Sequence, residues 1–323
     1  MAKRFWIAAA IAAACLAVPG AAAPPKPAGY VPPRTADGQP DIQGVWNNAT
    51  ITPLERPADL AGKAVFTPTE AAAYEKQAAE SNNRDRRGKD GATDVAGAYN
   101  QAWFDRGTKV VPTLRTSLIV EPADGKIPYS AEGQKRVAAA AEHARLHPAD
   151  GPEDLALTDR CILWGTAGPP MLPGPYNSNY QIFQTAGYVT ILVELIHEVR
   201  IIPLDRRPHL PGGVRQWLGD SRGHWEGNTL VVETTNFTDK SRFRGATGNM
   251  RLIERFTRTD ANTLTYDFTV EDPATFSKPW SASIPMTKSA GPIYEYACHE
   301  GNYAVPGILG GARAQEAATH GAK

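Results

Sequence analysis

The stretch MRLIERFTRTDANTLTYDFTVE, Met250 to Glu271, carries the fold assignment. Leu264, Tyr266, Phe268 and Val270 alternate with Thr265, Asp267 and Thr269, which is the pattern of a strand with one buried and one solvated face. Met250–Arg258 shows the same period, and Thr259-Asp260-Ala261-Asn262 between the two runs reads as a hairpin turn. Working outward, Tyr188–Glu194, Val199–Leu204, Thr229–Thr235, Pro279–Met286 and Ile293–Cys298 read as further strands. Leu195–Glu198 and Trp225-Glu226-Gly227-Asn228 read as turns. Successive strands with short connections predict an antiparallel meander, and closure removes its exposed edges. The expected fold is therefore mainly β, a lipocalin-like antiparallel barrel with two accessory helices and a Pro-rich N-terminal tether.

The helices come from the first half. Thr67-Pro68-Thr69-Glu70 is a capping box with Pro at the first helical position. Ser130 opens a second, Ala-rich helix to about His147. Residues 81–97 are charged and Gly-bearing and predict a mobile loop. Thr116–Val120 reads as a strand, and Pro122–Pro128 as a turn. Residues 23–40 are Pro-rich and polar, an extended tether. Ile42–Trp46 begins the folded part, with Trp46 placed as a plug at the barrel base. The single domain is expected over 41–304, with a Gly/Ala-rich frayed tail over 305–323.

Residues 1–22 have the form of an export signal. Lys3 and Arg4 precede an apolar, Ala-rich run, Phe5 to Val18, which is short for a membrane span, and Gly20-Ala21-Ala22 offers small residues for cleavage. A retained anchor and a lipoprotein cysteine at Cys15 are the alternatives. Cleavage leaves 32 bases against 34 acids and no transmembrane segment in the mature chain. That balance points to neither nucleic acid nor anionic lipid. The expected location is periplasmic or secreted. In an oxidising compartment the remaining cysteines, Cys161 and Cys298, form an even pair and predict a disulfide; two buried thiols are the alternative.

Five runs carry a family resemblance: PRTADGQPDIQGVW (33–46), RTSLIVEPADGKIP (115–128), GDSRGHWEGNTLVVETTNF (219–237), ERFTRTD (254–260) and VEDPATFSKPW (270–280). Together they resemble a large group of exported, uncharacterised proteins of acidobacteria and alphaproteobacteria. The resemblance implies export and a lipocalin-like fold, and it transfers no activity. The barrel type is also similar to small lipocalin-like enzymes such as phenolic acid decarboxylases, at the level of fold alone.

No nucleophile elbow, phosphate loop, dinucleotide fingerprint or HExxH pair occurs. Candidate chemistry rests on scattered groups. Glu254 shares a face with Leu252 and Phe256, so its carboxylate points into the barrel. There it acts as a general acid or base, or pairs with an Arg such as Arg200 or Arg115. His299, Tyr296 and Tyr294 form a polar cluster beside Cys298; the alternative is a rim loop whose polar groups satisfy backbone. Arg255, Trp280 and His197 complete a candidate substrate-binding set. If the chain turns at Leu195–Glu198, His197 is a rim residue. His224, in a turn, and His299 with an acid are candidate ligands for zinc, copper or iron, although their spacing is no metal signature; no cofactor is otherwise expected.

The leading expectation is an exported acid–base enzyme, a lyase or isomerase for a small hydrophobic or phenolic molecule, with Glu254, His299 and Tyr296 catalytic. The alternatives are a periplasmic carrier of a hydrophobic or aromatic ligand, with Glu254 ion-paired, and a metal-dependent enzyme built on His224 and His299.

Overall fold

The computed structural model describes residues 29–83, 85, 90–97, 101, 104–241 and 243–321. The expected signal peptide, the first residues of the tether and part of the 81–97 segment lie outside the described residues. The expected barrel is present. Its strands are β1 (Gly44–Asn47), β2 (Ile119–Glu121), β3 (Asn179–Gln184), β4 (Tyr188–Val193), β5 (Val199–Pro203), β6 (Asp220–Glu226), β7 (Thr229–Thr235), β8 (Arg251–Arg258), β9 (Thr263–Glu271) and β10 (Trp280–Lys288). They form one antiparallel sheet in the order β5-β4-β3-β1-β10-β9-β8-β7-β6, with β2 on β10. Strands β5 and β6 meet along a seam without a ladder between them, so the barrel is nearly closed. Gly223 belongs to that seam: a β-carbon there would stand 2.8 Å from the side chains of Ile202 and Leu204.

The barrel has two unlike ends. The hairpins at 185–187, 227–228 and 259–262 are tight and lie together at the turn end. In the two-residue turn at 227–228, Gly227 adopts φ +60°, a conformation glycine takes without penalty. Trp46 closes this end: its indole donates to the Ile42 carbonyl (2.9 Å), and the Arg258 guanidinium lies 5.7 Å from its ring centre while donating to the carbonyls of Asp41 and Ala261. The opposite, loop end receives the segments 48–118, 157–178, 236–250 and 272–279.

Alternation decides which side chains fill the interior. Strands β8 and β9 read strictly in–out, with Leu252, Glu254, Phe256 and Arg258 inward from one and Leu264, Tyr266, Phe268 and Val270 from the other. Trp46, Trp280, Tyr180, Ile182, Ile191 and Met171 join them, all essentially inaccessible. The interior is thus occupied by packed side chains.

Helix α1 (Pro68–Ser81) starts at the expected capping box, with Thr67 accepting from the Glu70 amide and Glu70 accepting from the Thr67 amide. Helix α3 (Ala131–Leu146) is capped by Ser130, which accepts from the Gly133 amide at 3.0 Å. Gly133 meets the 272–279 loop so closely that a β-carbon would lie 2.0 Å from the Thr275 carbonyl oxygen. Gly→Ala within a helix ordinarily stabilises. Here the neighbour is backbone, so Gly133→Ala is expected to destabilise by about 1–3 kcal/mol, as overpacking does. Urea unfolding measures this, and an unchanged or raised midpoint contradicts the close packing.

Several expectations are corrected. Residues 31–40 are not an extended tether: a turn over 35–38, an Arg34–Pro40 bridge and an Asp41 amide bond to the Pro33 carbonyl (2.8 Å) fold them back. Gly91–Gly97 within the expected loop is a short helix, α2, capped by the Asp90 side chain on the Thr93 amide. Asp220–Glu226 is a strand, and His224, Trp225 and Glu226 lie in it and not in the expected turn; Gly223 and the neighbouring polar residues hide its alternation. Ile293–Cys298 is not a strand; it is an irregular strap. The expected frayed tail forms helix α4 (Ala304–Gly321), where five alanines favour helix and Pro306 sits in the first turn, whose amides need no helical acceptor. Arg313 ties it down by donating to the carbonyls of Ala149 and Asp150.

Candidate functional site

Glu254 is fully buried, and its partner is Arg200 on β5. The Arg200 guanidinium donates to both carboxylate oxygens, and the Tyr266 hydroxyl donates to Oε1 at 2.8 Å. Arg200 also reaches the Ser221 hydroxyl (3.4 Å), which pairs with Thr234. Burial alone would lower the pKa of Arg200, and the facing Glu254 carboxylate more than reverses that. Burial and then the Glu254 charge push the Tyr266 phenol far above its ordinary range, so it stays a neutral donor. Of the two roles expected for Glu254, the geometry is that of the buried ion pair: both oxygens are engaged, and Glu254 lines neither cleft described below.

The other expected site residues are not brought together around Glu254. Arg255 points to the outer face and pairs with Glu226 at 2.6 Å, which corrects its expected place in a substrate pocket. Trp280 is wholly buried, stacked under Phe243 and edge-on to Phe268 and Phe276; it is core. His224 lies in β6, its Nε2 3.1 Å from Glu226 Oε1. His299 is exposed on the strap. Among the described residues no group of three or more His, Cys, Asp or Glu side chains is arranged to hold a metal ion.

The strap itself is fixed to the loop end. Cys298 is disulfide-bonded to Cys161. The Tyr294 amide donates to Glu194 (3.2 Å) and the Tyr296 amide to His197 Nδ1 (2.8 Å). His197 is a rim residue in a turn with left-handed backbone at Ile196 and His197, as expected for a hairpin there. Tyr294 is largely exposed, whereas Tyr296 leans edge-on against Trp164. The 294–303 segment is thus held at the rim through its backbone amides, and Asn302 bonds the Asp159 carbonyl and the Ala304 amide.

Two clefts open at the loop end, the second lined by Trp164, on which the strap's Tyr296 leans. The first, about 590 Å³, lies between the Tyr74 face of α1 and residues 172–175. The second, about 460 Å³, is walled by Trp164, Trp217, Phe237, Phe243 and Met250. Thr166, Leu172 and Arg244 line both. The dividing segment 166–172 is anchored from the barrel interior: the Met171 amide donates to the Tyr266 hydroxyl (3.1 Å) and the Tyr180 hydroxyl donates to the Thr166 carbonyl (3.3 Å). Its turn requires Gly168, at φ +105° and with a β-carbon position 2.7 Å from the Met171 side chain.

Arg244 is the distinctive group. It is exposed, in left-handed backbone (φ 51°), in the turn that packs on α3. Among the described residues no carboxylate or carbonyl pairs with its guanidinium; its influence is felt at the Tyr129 phenol, which burial raises and Arg244 partly lowers. Within the same wall the Thr166 hydroxyl is buried without a hydrogen-bond partner. An unpaired guanidinium between an aromatic wall and a polar one can hold a carboxylate, sulfonate or phosphate by paired hydrogen bonds. Sequence reading missed Arg244, Thr166, Trp164 and Trp217. The available signal was positional: a Gly-flanked Arg and two Trp in long connections between well-formed strands. Comparisons with family models, with curated proteins and with solved structures return no match, so the site rests on its own geometry.

Proposed function

We propose that the protein is an exported binding protein for a small molecule with an aromatic or apolar body and one anionic group, held at the loop end of the barrel. The observation that carries this reading is Arg244, exposed, lining both clefts and without an ion-pair or hydrogen-bond partner among the described residues. The aromatic wall of the second cleft supplies apolar contact, and the guanidinium fixes the anionic group. The full burial and double engagement of Glu254 support a structural role for it and favour binding over acid–base turnover. The N-terminal sequence and the Cys161–Cys298 disulfide support export to an oxidising compartment.

Calorimetric titration with naphthoate tests the reading. Saturable binding is expected, and Arg244→Gln is expected to weaken it about 10-fold or more, the worth of a charge-assisted contact. The unfolding midpoint should stay close to that of the parent, because Arg244 supports no other described group. Absence of saturable binding, or equal affinity in the variant, rejects the reading.

A further inference from the structure

The first cleft differs in chemistry from the second. From α1 it receives Tyr74, Gln77 and Ser81, spaced so that they project on one helical face. The Tyr74 ring is held against Phe66, with centroids 5.1 Å apart. Neither the Tyr74 hydroxyl nor the Gln77 amide has a hydrogen-bond partner among the described residues. Asp59 adds one carboxylate, near enough to Tyr74 to help burial raise its phenol.

Behind this cleft lies a set of unsatisfied groups. Asn48 Oδ1, Thr166 Oγ1 and Ser178 Oγ are all buried without partners. They belong to one neighbourhood. The Asn48 amide nitrogen donates to the Tyr180 hydroxyl, which donates to the Thr166 carbonyl, and the Asn48 backbone amide bonds the Ser178 carbonyl. The bare α-carbon of Gly174 sits between two of them: a β-carbon there would stand 3.1 Å from Thr166 Oγ1 and 3.9 Å from Ser178 Oγ. Buried polar atoms normally have partners, so the Thr166 hydroxyl, the one of the three that lines the cleft, marks a place for a hydrogen-bonding atom from outside the chain.

We infer that the two clefts form one bipartite site, whose ligand carries its anionic group between an aromatic or apolar portion and a hydroxylated, sugar-like portion. This rests on the binding function proposed above and specifies its ligand. Arg244, Thr166 and Leu172 are shared by both clefts, so the anion sits at the junction. Hydroxyl groups both donate and accept, which matches the hydroxyl, amide, carboxylate and guanidinium groups that line the first cleft. The Tyr74 ring offers an apolar surface to the C–H face of a pyranose.

The test uses a hydroxynaphthoate with adjacent hydroxyl and carboxylate groups, together with its O-β-glucoside, in which the carboxylate lies between ring and sugar. Calorimetry on the full chain is expected to show the glucoside binding about 10-fold tighter than the aglycone, the worth of two net hydrogen bonds. Gln77→Leu is expected to remove that gain. A glucoside no tighter than a binding aglycone, or a gain that survives Gln77→Leu, overturns the bipartite site and leaves the proposed function standing. Failure of both compounds to bind overturns both.

Discussion

Replacing Glu254 by Gln is expected to destabilise the barrel by about 3–5 kcal/mol, the cost of leaving one member of a buried ion pair without its counter-charge. The substitution keeps side-chain volume and leaves the Arg200 guanidinium inside the barrel without a counter-charge, with one amide oxygen in place of two carboxylate oxygens and a long contact to Ser221. It also turns the Tyr266 hydroxyl, which donates to Glu254 Oε1, toward a weaker acceptor. The loss extends to the loop end, because the same hydroxyl accepts from the Met171 amide beneath the dividing segment. Replacing both charges with apolar residues, Arg200→Met with Glu254→Leu, should recover most of the stability, since the desolvation of both ions disappears with them. Urea unfolding of the two variants separates the cases. A single variant within about 0.5 kcal/mol of the parent, the range of neutral surface changes, would remove Glu254 from the structural account and return it to the candidate acids.

The second large effect concerns the Cys161–Cys298 disulfide. Its cysteines are 137 residues apart, and removing the bond by Cys161→Ala with Cys298→Ala is expected to cost about 3–5 kcal/mol on the loop-entropy account. The bond joins the strap to the segment that supplies Trp164 to the second cleft. Apart from it, the strap is held by isolated contacts, including the Tyr294 and Tyr296 amide bonds and an Asn302 side-chain bond to the Asp159 carbonyl. Part of the loss should therefore appear as local opening of 157–166 and 294–303, with β7–β10 still protected. Hydrogen exchange resolves the two contributions. Unchanged stability together with unchanged protection in both segments contradicts a fastening role for the disulfide.

What could be read from the chain follows from where strict periodicity survives. Strands β8 and β9 alternate without a break, so the barrel, the 259–262 hairpin and the inward direction of Glu254 are legible, and Arg200 is one of the two partners the sequence offers for it. Two capping signals, at Thr67 and Ser130, set the helix starts. Strand β6 was hidden because Gly223, small enough to sit at the seam, occupies an inward position where a large apolar residue would have announced a strand. Helix α4 was hidden because its glycines suggested flexibility, while its alanines and the docking of Arg313 prevailed. The candidate site was the least legible part. Arg244 comes from the 236–250 connection, Thr166 and Trp164 from 157–178, and Trp217 from the segment before β6. Their convergence is a consequence of barrel closure, which places the 157–178 and 236–250 connections at one end, where the segment before β6 also arrives. No spacing along the chain reports it. Polar clustering in sequence points instead to the 294–303 strap, which is pinned at the rim through its backbone amides.

The most direct test of the central claim is a crystal structure of the protein with naphthoate. The carboxylate should lie within hydrogen-bonding distance of the Arg244 guanidinium, with the ring against Trp164 and Phe243 and the Glu254–Arg200 pair intact. A ring lodged inside the barrel against Glu254, or no naphthoate at the loop end, would contradict it.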